Sequence, residues 1–164
     1  MKKMIGGGLV LAAFAAATPA TAADWVTITN SVEVNKPVDA VWKRIGDYCE
    51  ISEWMKVTCT YAKGQGELGS IRVLLNGATT EVMVAKTAHS YTYWQNVGNM
   101  APASFHGTLM AEPDGTGMTM TRLSYTLVYD QDGLTPDKRE SEHTRLQGRF
   151  HDLLGVMKTL AEGG

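Results

Sequence analysis

Between residues 26 and 34, Val26, Ile28, Val32 and Val34 alternate with Thr27, Thr29, Ser31 and Glu33. This is the period of a strand with one buried face. Pro37 ends the alternation and suits a first helical turn, after which Val38, Val41, Trp42 and Ile45 recur at helical spacing as far as Gly46. A short second helix is predicted over residues 49–54. From there to Asp130 the pattern is that of strands, over 57–63, 70–75, 79–86, 90–97, 104–112 and 118–129, with turn dipeptides at Asn76-Gly77 and Asp114-Gly115. A long helix is predicted from Thr135-Pro136-Asp137 to Gly163. Leu146, Phe150, Leu153, Met157 and Leu160 form its apolar stripe, and its first two turns, 137–145, are almost wholly charged.

The order is thus one strand, two short helices, six strands and a long helix, an α+β pattern. An antiparallel sheet must have its apolar face covered, and the only large cover is the C-terminal helix. A curved sheet of about seven strands wrapped around one helix leaves a concave, mostly apolar space between them, the kind of space small ligands occupy.

The N-terminus changes the picture of where this domain works. Lys2 and Lys3 precede an uncharged stretch of 14 residues from Met4 to Ala17, then Pro19 and the triplet Ala20-Thr21-Ala22. These are the charged, apolar and A-x-A parts of a secretory signal peptide, with cleavage expected between Ala22 and Ala23 and a domain over 23–164. The apolar stretch is shorter than the roughly 18 residues of a membrane span, so a periplasmic or secreted protein with no transmembrane segment in its mature part is expected. Without Lys2 and Lys3 the chain has 13 basic and 17 acidic residues, a net charge of −4. Basic residues are neither in excess nor clustered with aromatics, which argues against a nucleic-acid partner.

No cofactor or metal is expected. Gly64-Gln65-Gly66-Glu67-Leu68-Gly69 matches G-x-G-x-x-G, but a strand follows it, and a bound phosphate needs a helix N-terminus there. Neither a G-x-S-x-G elbow, an H-E-x-x-H pair nor a Walker lysine is present. His89, His106, His143 and His151 fit no ligand spacing, and Cys49 and Cys59 have no second ligand pair nearby. In an exported chain two cysteines favour a disulfide, with free buried thiols as the alternative.

The most informative polar pair is Arg72 with Glu81. If Asn76-Gly77 forms a two-residue type I′ turn, Leu75 pairs with Ala78 and Arg72 stands directly opposite Glu81 on the same face. By apolarity alone, Ile71, Val73, Leu75, Val82 and Val84 would face inward. The ion pair would then be solvated and worth under about 1 kcal/mol. The opposite assignment puts both charges inside, where each needs the other.

The segment Val32-Glu33-Val34-Asn35-Lys36-Pro37-Val38-Asp39-Ala40-Val41-Trp42, followed by Gly46-Asp47-Tyr48, resembles the opening of the START-like, or SRPBCC, superfamily. The stretch from Gly46 to Trp54 is similar to an exported polyketide cyclase/dehydrase-like group, although Met55-Lys56 stand where that group often has His-Pro. The resemblance implies the helix-grip fold over nearly all of 23–164. It also implies a Cys49–Cys59 disulfide, since the group often carries such cysteines. Arg72 and Glu81 sit where plant abscisic-acid receptors, which belong to the same superfamily, have an Arg and a Glu pointing into the ligand cavity. On that pattern Leu74, Thr79 and Met83 share the cavity wall, Tyr93 and Phe105 match cavity aromatics, and Phe150 joins them from the helix stripe.

What the superfamily implies about activity is broad. The first expectation is a periplasmic binding or carrier protein for a small hydrophobic or amphipathic molecule: a lipid, isoprenoid, polyketide or aromatic compound. The second is a cofactor-independent cyclase, lyase or isomerase, with Glu81 as general base and Arg72 or Tyr93 stabilising an enolate oxygen. The third is an accessory interaction protein of a periplasmic oxidation system, which would present an apolar surface to a protein partner.

Overall fold

The alternating segments form one antiparallel sheet in a computed structural model that describes residues 23–115 and 118–163. Its strands are β1 (Trp25–Val34), β2 (Cys59–Lys63), β3 (Ile71–Leu74), β4 (Thr79–Lys86), β5 (Ser90–Val97), β6 (His106–Asp114) and β7 (Met120–Asp130). The helices are α1 (Val38–Ile45), α2 (Ile51–Trp54) and α3 (Pro136–Glu162). The strand order is β1-β7-β6-β5-β4-β3-β2, so β2 to β7 form a continuous meander and only β1 closes across the chain onto β7. The expected cleavage site and signal segment lie outside the described residues, apart from Ala23. Among the described residues no helix is long and apolar enough to cross a membrane.

The concave face carries the core. Ile28 and Val34 of β1, Leu109 of β6 and Leu123 and Leu127 of β7 meet Val41 and Ile45 of α1 and Leu154 and Met157 of α3. The α3 stripe differs from the periodic expectation: Leu146, Phe150, Leu154, Met157 and Ala161 are buried, while Leu153 and Leu160 are half-buried at its margin. A helix lying in a concave sheet and touched by α1 and α2 as well buries a face wider than a single row of side chains.

Several strand ends retreat from their expected positions, three of them beside a residue with left-handed backbone. Ser104 (φ 48°) follows a short 3₁₀ turn at Ala101–Ala103 and delays β6, and Met118 (φ 51°) delays β7. Leu75 (φ 53°) ends β3 early. Asn76 and Gly77 both have positive φ, as a type I′ turn requires, and the Ala78 amide donates to the Leu75 carbonyl at 3.2 Å. The register counted from that turn therefore holds, with Leu74 opposite Thr79 and Arg72 opposite Glu81. Cys49 and Cys59 form a disulfide with their Cα atoms 5.6 Å apart, joining the turn before α2 to the start of β2.

Candidate ligand-binding cavity

Strand alternation places Ser70, Arg72 and Leu74 of β3 and its N-terminal approach on the buried face, together with Thr79, Glu81 and Met83 of β4. Val84 and Leu75 are exposed, and Ile71, Val73 and Val82 only half-buried. The apolarity of the odd-numbered β3 residues is thus a misleading guide, and the solvated ion pair is excluded. Arg72 is 0% exposed and Glu81 5%.

Two of the three Arg72 guanidinium nitrogens donate to protein acceptors. Its Nε donates to Glu81 Oε2 at 2.6 Å, and its Nη1 donates to the Tyr48 carbonyl. Nη2 lies 2.6 Å from the same Glu81 oxygen but is not aligned as a donor. The cation also stacks among three rings, its Cζ 4.1 Å from the Tyr48 centroid, 4.9 Å from Tyr93 and 5.7 Å from Tyr91. Such contacts are worth about 2 kcal/mol when desolvated and offset part of the burial cost. The Glu81 carboxylate, helped by the electron-rich tyrosines, holds the Arg72 pKa well above its ordinary value against the opposing effect of burial. Burial in turn raises the pKa of Tyr48, Tyr91, Tyr93 and Tyr125.

Both Arg72 donors in contact with the carboxylate address one oxygen. Glu81 Oε1 accepts no hydrogen bond among the described residues, and it belongs to a carboxylate that borders a cavity of about 310 Å³. The cavity lies between α3, the β3–β5 end of the sheet and the β5–β6 connection. Leu74, Tyr93, Phe105, Leu146 and Phe150 supply its apolar wall, with Ile51 and Met55 from α2 and the residue after it. Thr79 and Gln95 add polar atoms, and the Gln95 Oε1 is buried without a partner. Arg145 and Arg149 of α3 border the same space. A second groove of about 500 Å³ adjoins it across Asn99, Met100 and Arg145.

Of the residues expected in the wall, Leu74, Thr79, Glu81, Tyr93, Phe105 and Phe150 border the cavity, whereas Arg72 and Met83 do not. Arg72 is drawn behind Glu81 by the Tyr48 carbonyl and the three rings. Met83, opposite Tyr93 in the ladder, lies deeper in the filled part of the core. The Tyr93 hydroxyl bonds that of Tyr125 at 3.0 Å and runs along the Gly107 backbone, where a Cβ would sit 2.4 Å from the Tyr93 oxygen. Gln95, Met55, Arg145 and Arg149 were not foreseen. Gln95 was legible as the residue two beyond Tyr93 on one strand face, and Arg145 and Arg149 as a pair four apart, each preceding a buried stripe residue. Among the described residues no group of His, Cys, Asp and Glu could hold a metal ion.

A seven-stranded sheet gripping a long C-terminal helix around an apolar cavity defines the helix-grip class. The chain belongs to the polyketide cyclase / dehydrase and lipid transport family, which it matches over residues 25–162, within the START-like, or SRPBCC, superfamily. Solved structures similar to it include a protein from Thermobifida fusca (23% identity, 80% of this chain and 90% of that one, TM-score 0.67). The ZhuI aromatase/cyclase from Streptomyces sp. R1128 is another (18% identity, 85% and 94%, TM-score 0.63). So is truncated norcoclaurine synthase from Thalictrum flavum (12% identity, 90% and 99%, TM-score 0.62). These identities establish a shared fold. No curated protein sequence matches the chain.

Proposed function

We propose that this protein is a periplasmic binding or carrier protein for a small hydrophobic or amphipathic molecule. The observation that carries the reading is the cavity of about 310 Å³, with aromatic and aliphatic walls and a carboxylate whose Oε1 is unpartnered. Its volume is at the low end of the roughly 300–1,000 Å³ typical of small-molecule sites. It suits a compound of one or two rings, or a medium-length chain, better than a two-chain lipid. Arg72 contributes by fixing the Glu81 carboxylate from behind, and Glu81 offers the ligand an acceptor.

The cyclase, lyase or isomerase reading draws support from the same free Oε1, which a general base needs, and from the enzymes that share the fold. It lacks a matching electrophile. Arg72 is not in the cavity wall, and the Tyr93 hydroxyl, which accepts from Tyr125 at 3.0 Å, offers a developing oxyanion a neutral donor and no positive charge. Binding alone requires neither.

The experiment is native mass spectrometry of the protein purified from the periplasm of its own host. The expected result is a co-purified small molecule on a chain that begins at Ala23. Chains free of ligand that also fail to take up neutral apolar probes would overturn the binding reading. A chain retaining Met1 in the membrane fraction would overturn the proposed compartment.

A further inference from the structure

The cavity is electrically asymmetric. At its inner side the charged group aimed inward is a carboxylate with a free oxygen: Glu81 Oε1 accepts no hydrogen bond among the described residues, Gln95 Oε1 is buried and unpartnered, and the Arg72 cation stands behind Glu81, outside the wall. An anion placed there would meet a carboxylate oxygen, with only the neutral hydroxyls of Tyr93 and Thr79 beside it and no positive charge in the wall to offset the repulsion. Rotating the Gln95 amide would supply one donor but leave the carboxylate in place.

The exposed part of the lining carries positive charge. Arg145 and Arg149 are one helical turn apart on α3, and both border the cavity while remaining exposed. The chain has six arginines, and five of them hold a carboxylate: Arg44 on Glu50 and Glu53, Arg72 on Glu81, Arg122 on Asp114, Arg139 on Asp24 and Arg145 on Glu142. Arg149 alone makes no ion pair among the described residues, although Asp152 is only three residues away. Arg145 spends Nε and Nη2 on Glu142. Among the described residues the one guanidinium without a carboxylate partner therefore borders the cavity at its exposed side.

We propose that the ligand is a bipolar acid: an apolar chain or ring system with a hydrogen-bond donor such as a hydroxyl at the inner end, on Glu81 and Gln95, and a carboxylate or phosphate at the outer end, on Arg149. This rests on the binding reading above and gives it a substrate class and an orientation. The acid stays at the mouth, where its charge keeps part of its water and gains a fork of N–H donors, and the neutral end enters. Insertion acid-first is disfavoured by Glu81.

The test uses the mature protein with the neutral fluorescent probe N-phenyl-1-naphthylamine bound in the cavity, displaced by ω-hydroxydecanoic acid, its methyl ester or decanediol. The hydroxy acid should displace the probe about tenfold more effectively than the ester or the diol, as one charge-assisted contact implies. Arg149→Gln should abolish that preference, weakening the hydroxy acid far more than decanediol, Arg149→Lys should retain part of it, and added salt should weaken it. Decanoic acid, which lacks the inner donor, should compete less well than the hydroxy acid. Equal displacement by acid, ester and diol, or equal loss of all three in Arg149→Gln, would overturn the inference while leaving the cavity as a binding site. Failure of the neutral probe itself to bind would overturn both this inference and the binding reading on which it rests.

Discussion

At the scale of single residues, the pair Arg72 and Glu81 shows how much is at stake in one register. Two charges are taken out of water; each is stabilised by the other, and Arg72 also by the Tyr48 carbonyl and three aromatic faces. Truncating Glu81 to Ala leaves a fully buried guanidinium facing the gap its partner vacated. The expected loss is about 3–5 kcal/mol of stability. Replacing both members by apolar residues of similar volume, Arg72→Met with Glu81→Leu, should cost much less than the sum of the two single changes. Urea denaturation of the wild type, both single mutants and the double mutant measures the coupling. Additive losses of under about 1 kcal/mol each, the signature of a surface pair, would contradict the buried arrangement. Gly107 is a second point of this kind, since only a residue without a Cβ leaves room for the Tyr93 ring on the neighbouring strand.

At the scale of elements, the disulfide joins the α2 region to the sheet at its outer strand. β2 is the edge of the sheet and pairs only with β3, and α2 is a single turn, so neither has extensive support of its own. Yet α2 and its flank carry Ile51 and Met55 to the cavity wall, and Tyr48, just before α2, supplies both a carbonyl and a ring to Arg72. Holding Cys49 to Cys59 therefore ties the α2 side of the site to the edge strand β2, which pairs with β3. Reduction, or Cys49→Ser with Cys59→Ser, is expected to remove roughly 3 kcal/mol by the chain-entropy relation for so short a loop. Ligand affinity should fall as well, because the α2 side of the wall loosens. Comparing denaturation midpoints and probe binding for oxidised and reduced protein checks this, and an unchanged midpoint would show that β2 and α2 are held by packing alone.

At the scale of the whole molecule, the tyrosines respond to pH as a set. All six have raised pKa values, each mainly through burial, with Tyr61 pushed up to about 12. The folded state thus keeps these protons at a pH where the unfolded chain, with pKa near 10, releases them. Below about pH 10 both states are protonated and the contribution to stability is fully present. Above it the unfolded state binds fewer protons, so stability falls as pH rises. Tyr91, Tyr93 and Tyr125 together give a slope of up to about 4 kcal/mol per pH unit. Urea midpoints followed from pH 8 to 12 should be flat and then drop, and the native absorbance change for tyrosinate should appear only with unfolding. Tyrosine ionisation near pH 10 in the folded protein would mean that these hydroxyls are open to water.

How much of this was legible in the chain depends on whether the signal is local. Alternation along β1, the helical spacing of Val38, Val41 and Ile45, the punctuation by Pro37 and Gly46 and the Asn76-Gly77 turn are properties of neighbouring residues. They determined the element order, and the turn determined that Arg72 faces Glu81. Which face of β3 and β4 is inside is not a local property. Ile71, Val73 and Leu75 argued for one side, and the Arg72 side is inward only because Tyr48, Tyr91 and Tyr93, 19 to 24 residues away in sequence, converge there with Glu81 to compensate its charge. The same holds for the cavity. That Phe150 would be buried followed from the helix stripe, and that Phe105 would be so from the family resemblance. That Arg72 and Met83 would be kept out of the wall, and that Gln95, Met55 and the unpaired Arg149 would enter it, was decided by how α3 lies in the sheet and where its turns meet the β5–β6 connection. Sequence periodicity specifies which side of an element is buried against something; only the assembled tertiary structure specifies what that something is, and where the fit between curved sheet and helix leaves room for a ligand.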